Sequence, residues 1–324
     1  MKSRPLVAAY GHMFPSLDLE TEILGRSGID LFDANDLHNT EIANAEVEGV
    51  LLGAFKKLDR ERLKRLRKCK AIVRYGIGVD NVDLEAATKA GIAVSNVPNY
   101  CIEEVAVHAL ACALSLMRGL SYWDASVRTG SWRGKSLPKL RRPSTCRLGI
   151  VGFGQIGRIL ESRARAIFAS IAVHDPWYKP SPGASPGPRT SFVSLDELLE
   201  TSDVISVHVP LTSDTAGMLG ETALRKTRNG AFVINASRGG IVDEKALLEA
   251  IGSGRLGGAA LDTFTKEPLP GDDPLAGEKR ILLSPHIAWK SEEAEIELRR
   301  GAAEEIARIL TGRAARSQVN RSFA

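Results

Sequence analysis

The hexapeptide Gly152-Phe153-Gly154-Gln155-Ile156-Gly157 follows directly on the apolar run Arg147–Val151, and a helical pattern takes over from about Arg158. Few sequence features restrict a fold more. In a G-x-G-x-x-G loop between strand and helix, the first glycine permits the tight turn and the second lets backbone approach a pyrophosphate. The third lets helix and strand pack closely. Phosphates would sit on the helix N-terminal N–H groups. The next strand, Ile171–His174, ends at Asp175, 18 residues after Gly157. A carboxylate there accepts hydrogen bonds from both ribose hydroxyls of an adenosine and repels a 2′-phosphate, so loop and acid together predict NAD.

Short apolar runs recur along the whole chain: Leu6–Tyr10, Val50–Ala54, Ala71–Tyr75, Ile92–Val97, Arg147–Gly152, Ile171–Asp175, Val204–Val209, Ala231–Asn235 and Gly257–Leu261. Continuous Val/Ile-rich runs of this length are what parallel sheets bury on both faces. Helical patterns separate them, so an α/β fold follows. The glycine loop begins near residue 150, so another unit of about 100 residues precedes the cofactor domain. A chain of 324 residues has room for two domains.

The remaining features exclude more than they specify. A net charge of +4 is too weak to imply nucleic acid. Lys56–Lys70 carries nine Lys/Arg against two acids, and is read as a solvated helix face with Leu58, Leu63 and Leu66 turned inward. Cys69, Cys101, Cys112 and Cys146 lack ligand-like spacing, which fits free thiols in a reducing compartment and no metal. His12, His38, His108, His174 and His208 have no partners at ligand spacing and are read as structural or uninformative. The first apolar run is too short for a signal peptide and no membrane span is read, so a cytoplasmic protein is expected. Glu103–Leu120 is apolar enough to pack between domains or subunits, which predicts a homodimer. Lys179–Arg189, rich in proline, is expected to be a loop. No regulatory domain is expected after Ala324.

Three charged residues follow strands in the second half: Arg238, Glu267 and His286. Ligands of open parallel sheets bind at the carboxyl ends of strands, so these residues are placed to converge on a nicotinamide. With the segment Arg74-Tyr75-Gly76-Ile77-Gly78-Val79-Asp80-Asn81 and the glycine loop, they make the chain resemble the D-isomer-specific 2-hydroxyacid dehydrogenases. It is most similar to the branch holding phosphoglycerate dehydrogenase-like enzymes and the C-terminal binding protein corepressors.

The resemblance implies two doubly wound parallel-sheet lobes with the active site in the cleft between them. The substrate lobe would be discontinuous, residues 1–101 and 291–324, with the NAD-binding lobe at 102–290. The substrate would be a D-2-hydroxy or 2-oxo acid. His286 would be the general acid–base, Glu267 would orient it and raise its pKa, and Arg238 would grip the substrate carboxylate and carbonyl. Main-chain N–H groups of Tyr75, Gly76 and Ile77, with Arg74 beside them, would bind the carboxylate. Gly152, Gly154, Gln155, Ile156 and Gly157 would face the pyrophosphate, and Val209 and Pro210 the adenine side. Thr215, Ala236 and Asp262 would lie near the nicotinamide end, with Asp262 alternatively a structural strand-end acid. Trp289 either walls the substrate pocket, favouring an apolar tail, or packs at the hinge. The alternative function is an NAD-gated dimeric scaffold with weak or no turnover. Direct nucleic-acid binding lacks a recognition motif.

Overall fold

The apolar runs form two parallel sheets, one in each of two units. The computed structural model describes residues 4–36, 46–132, 140–179 and 186–320. The first unit joins Met1–Tyr100 to Ser291–Ala324, and the second is Cys101–Lys290.

In the first unit the strands are β1 (Leu6–Tyr10), β2 (Asp30–Asp33), β3 (Gly49–Leu52), β4 (Ala71–Arg74) and β5 (Ala93–Ser95). They pair in the order β2-β1-β3-β4-β5, all parallel. This is the flavodoxin-like doubly wound order. The helix Glu292–Leu310 belongs to this unit and shows why a C-terminal segment returns to it. Ala294, Leu298, Ala302, Ala303 and Ile306 form one buried stripe at helical spacing. From the same helix Arg299 reaches the fully buried Glu20, with Nη2 2.7 Å from Oε2. Removing Arg299 would strand that carboxylate, at a cost of about 3–5 kcal/mol.

In the second unit the strands are β6 (Arg147–Val151), β7 (Ser170–His174), β8 (Thr190–Phe192), β9 (Val204–Val207), β10 (Ala231–Asn235), β11 (Leu256–Leu261) and β12 (Ile281–Leu283). Their order is β12-β11-β10-β9-β6-β7-β8. The winding reverses between β6 and β9, and a dinucleotide binds at such a switch point, beyond the carboxyl ends of the strands.

Two strands were not expected from the sequence: β2 and β8. Each is the outermost strand at an edge of its sheet. An edge strand is not enclosed on both sides, so it needs no continuous apolar run. Phe192 is accordingly exposed.

The apolar helix spans Ile102–Arg118 and stops at Gly119, whose φ of +62° is readily available only to glycine. One face of this helix lies on its own unit's sheet. Its buried stripe, Ala106, Ala109, Ala113 and Met117, packs on Leu148, Ile150 and Ile234 of its own unit's sheet. The small alanines allow that close approach. A second helix, Leu120–Arg128, follows at a bend of 60°. Among the described residues no single helix is long and apolar enough to cross a membrane, although this bent pair passes together by length and composition.

The basic segment is helical only over Arg60–Arg65, capped by Asp59, which accepts from the Arg62 N–H. Leu58, Leu63 and Leu66 are buried as expected. Arg60, Arg62, Lys64, Lys68 and Lys70 each pair with an acid, so much of the charge is neutralised locally. Of the proline-rich segment, residues 180–185 lie outside the described residues, as does His38.

Candidate active site

The glycine loop leaves β6 at Gly152, which has φ +96°. A Cβ there would press against the His208 carbonyl group and Val209 Cγ1 at 2.8–2.9 Å. A Cβ on Gly157 would collide with the Gly152 carbonyl oxygen. Between them, the position of a Gly154 Cβ has nothing within 4 Å, which leaves room for a ligand to reach backbone. The helix begins at Gln155, not near Arg158 as expected. Gln155, Ile156 and Gly157 are therefore its first turn, where N–H groups have no partner within the helix. A diphosphate suits that cradle in shape and charge.

Asp175 follows β7 and does more than the sequence suggested. Its Oδ2 accepts the Phe153 N–H at 2.7 Å, and its Oδ1 accepts the Trp177 N–H at 2.9 Å. The carboxylate thus pins the glycine loop while keeping lone pairs for a ribose. Across the switch point, the Val209 carbonyl accepts from Ser237 Oγ at 2.7 Å and the Pro210 carbonyl from Thr215 Oγ1 at 2.6 Å. Thr215 therefore shapes the loop after β9. Just beyond β9, His208 Nε2 lies 2.8 Å from Ser206 Oγ, and burial pushes this imidazole down to about 4.

Arg238 is placed by a clamp that the sequence reading missed. Ala236 begins the turn after β10. The Asn235 side chain accepts from Ser237 N–H at 3.1 Å and donates to the Arg238 carbonyl at 2.8 Å. Gly239 lies so close to Phe264 and Thr265 backbone that a Cβ would not fit. That close approach brings the Arg238 loop against the loop carrying Glu267.

Glu267 Oε2 meets His286 Nδ1 at 2.8 Å, and its Oε1 accepts the Phe264 N–H at 3.0 Å. Burial opposes its charge, but hydrogen bonds from His286 and Phe264 and the charges of His286 and Arg238 prevail. Its pKa is held below the usual carboxylate range. A carboxylate on Nδ1 requires a proton there, which leaves Nε2 to take or give a proton. Both side chains remain 37% exposed, so the ring is reachable. His286 has φ +55°, a left-handed conformation costing a β-carbon residue on the order of 1 kcal/mol.

Asp262 holds that turn. Its main-chain oxygen accepts the His286 N–H at 2.8 Å, and its buried carboxylate accepts from Ile287 N, Ala288 N and Ser284 Oγ. These contacts express the strand-end alternative for Asp262 directly. Trp289 is half-buried and donates its indole N–H to the His286 carbonyl at 3.0 Å.

In the first unit, Arg74 Nη1 donates to the Tyr75 carbonyl at 2.6 Å and its guanidinium lies over Gly76. One expectation is corrected there. The Tyr75 N–H is spent on the Leu52 carbonyl at 2.9 Å, so the candidate main-chain donors narrow to Gly76 and Ile77. The Tyr75 ring is buried, and burial and then the Glu20 charge push its phenol well above the usual value.

Comparison with known proteins adds sequence and fold. Residues 110–288 match the NAD binding domain of the D-isomer specific 2-hydroxyacid dehydrogenases. The chain is 37% identical over 274 residues to a D-3-phosphoglycerate dehydrogenase of Archaeoglobus fulgidus, covering 84% of this chain and 51% of that one. It spans about half the length of the curated relatives it matches. A solved protein from Thermus thermophilus superposes with a TM-score of 0.86 at 31% identity, covering 97% and 99% of the two chains. An Aquifex aeolicus D-lactate dehydrogenase, solved with NAD and lactic acid, gives 0.84 at 26% identity, covering 94% and 96%.

Proposed function

Because this chain belongs to the D-isomer-specific 2-hydroxyacid dehydrogenase family, we propose that it interconverts a D-2-hydroxy acid and a 2-oxo acid with NAD. The observation that carries this reading is the 2.8 Å contact between Glu267 and His286, in the unit that also holds the glycine loop.

Gly154 and the first helical turn hold the diphosphate, Asp175 the ribose, and Val209 and Pro210 the adenine side. Bound NADH supplies the hydride. His286 Nε2 delivers a proton to the carbonyl oxygen in reduction and removes it in oxidation. Glu267, as a carboxylate, keeps the proton on Nδ1 and stabilises the imidazolium while it exists. Arg238 binds the substrate carboxylate with a planar fork that matches two oxygens. In the first unit, Gly76 and Ile77 N–H groups beside Arg74 bind a carboxylate. Trp289, held by its bond to the His286 carbonyl, offers an indole to an apolar substrate tail.

Val107, Leu120, Tyr122 and Val127 are exposed on the two consecutive helices and support a homodimer. The four scattered thiols support a cytoplasmic location. Oxidation of NADH in the presence of 2-oxo acids tests the proposed reaction.

A further inference from the structure

A hydrogen-bond chain runs beneath the His286 turn and ends on a helix that the mechanism does not use. Ser284 Oγ lies 2.6 Å from Asp262 Oδ1 and 3.3 Å from His108 Nε2. His108 is on the helix Ile102–Arg118, 176 residues away in sequence from Ser284. A hydroxyl has one proton, and a carboxylate can only accept. The Ser284 proton therefore goes to Asp262, and Ser284 Oγ accepts from His108 Nε2–H. Direction and tautomer are both fixed by this count.

The Asp262 carboxylate then has its Oδ1 shared between Ser284 and the Ile287 N–H at 2.9 Å, and its Oδ2 on the Ala288 N–H at 2.9 Å. The peptide groups on either side of His286 are thus tied to one residue, since the His286 N–H is bound to the Asp262 carbonyl. Cys112, one turn along from His108, has its thiol pushed up to about 11 by burial and then by the Asp262 charge. Asp262 Oδ1 itself lies 4.0 Å from His108 Nε2, so the carboxylate faces this helix.

We propose that His108 and Ser284 are positioning residues for the reaction. By fixing the orientation of the Asp262 carboxylate, they hold His286 in its left-handed turn, with Nδ1 on Glu267. This inference rests on the proposed dehydrogenase activity and adds two residues to it. Without the Ser284 hydroxyl, the carboxylate can rotate. The turn would then relax toward ordinary backbone geometry and carry the imidazole out of line.

Ser284→Ala should lower kcat about 10- to 100-fold, with the KM for the oxo acid changed less than about twofold, because geometry rather than substrate affinity is lost. Ser284→Thr, which keeps the hydroxyl, should restore most of the rate. His108→Phe should cost a similar factor, and adding it to Ser284→Ala should cost little more. An unchanged kcat in Ser284→Ala, or a full further loss in the double variant, overturns the proposal. A second measurement needs no variant. Imidazole nitrogen shifts of the wild-type protein at about pH 8.5, above the ordinary imidazole range, should show His108 as the Nε2–H tautomer, and an Nδ1–H tautomer overturns the chain. If the wild type turns over no 2-oxo acid, the functional reading fails, and the tautomer still decides the chain.

Discussion

His286 Nδ1 and Glu267 Oε2 stand 2.8 Å apart, and the carboxylate of that pair is held below its usual pKa. A carboxylate depressed on folding contributes stability above its unfolded pKa, about 4.3, and loses it as pH falls through the folded value. Glu267→Gln should therefore be less stable than wild type at about pH 7, with the deficit vanishing in the acid range. Urea midpoints against pH measure this. Turnover should fall about 10- to 100-fold, from the missing charge beside the imidazolium. A stability deficit independent of pH would remove the charge from the explanation.

His208 behaves in the opposite chemical sense. Burial holds its pKa near 4, against about 6.5 in an unfolded chain. The unfolded state then binds more protons between those values, so stability falls as pH drops from about 6.5 to about 4, by up to roughly 3 kcal/mol. His208→Gln should flatten that part of the stability curve. A wild-type curve already flat there would contradict the assignment.

Two glycines of one loop should fail differently. Gly154→Ala meets no protein atom, so its melting temperature should stay near wild type while NADH affinity drops. Gly157→Ala meets the Gly152 carbonyl oxygen and should lose about 1–3 kcal/mol of stability as well as affinity. Calorimetry and NADH titration separate the two. Equal melting temperatures would show that the strand–helix contact yields freely.

Asp175 has a structural duty beside its proposed ribose contact. Asp175→Asn keeps an acceptor for the Phe153 or Trp177 N–H but removes the charge that repels a 2′-phosphate. The ratio of NADPH to NADH affinity should rise about tenfold or more. Asp175→Ala should weaken both cofactors, since the loop loses its clamp. An unaltered ratio in Asp175→Asn refutes the ribose assignment.

What could be read in the sequence follows from how locally each feature is determined. The interior strands announce themselves, since burial on both faces demands runs such as Val204–Val207. The glycines at 152 and 157 are legible because a positive φ and a backbone contact leave no other residue suitable. The edge strands β2 and β8 were missed because one-sided pairing places no such demand. Gln155 and Ile156 read as loop because glycines flank them, although they open the helix. Arg238, Glu267 and His286 could be selected as strand-end residues, but not the clamp formed by Asn235 or the bond between Ser284 and His108. Those depend on side chains meeting across the fold, and no spacing along the chain records that.

Steady-state oxidation of NADH against a panel of 2-oxo acids, from glyoxylate to phenylpyruvate and phosphohydroxypyruvate, reads the proposed reaction itself. Wild type and His286→Ala would be compared, with NADH affinity measured for both. Wild type should turn over at least one acid. His286→Ala should lose about 10²- to 10⁴-fold of that turnover with NADH affinity largely retained. Tight NADH binding with no turnover of any acid, or undiminished turnover in His286→Ala, would contradict the proposed dehydrogenase reaction.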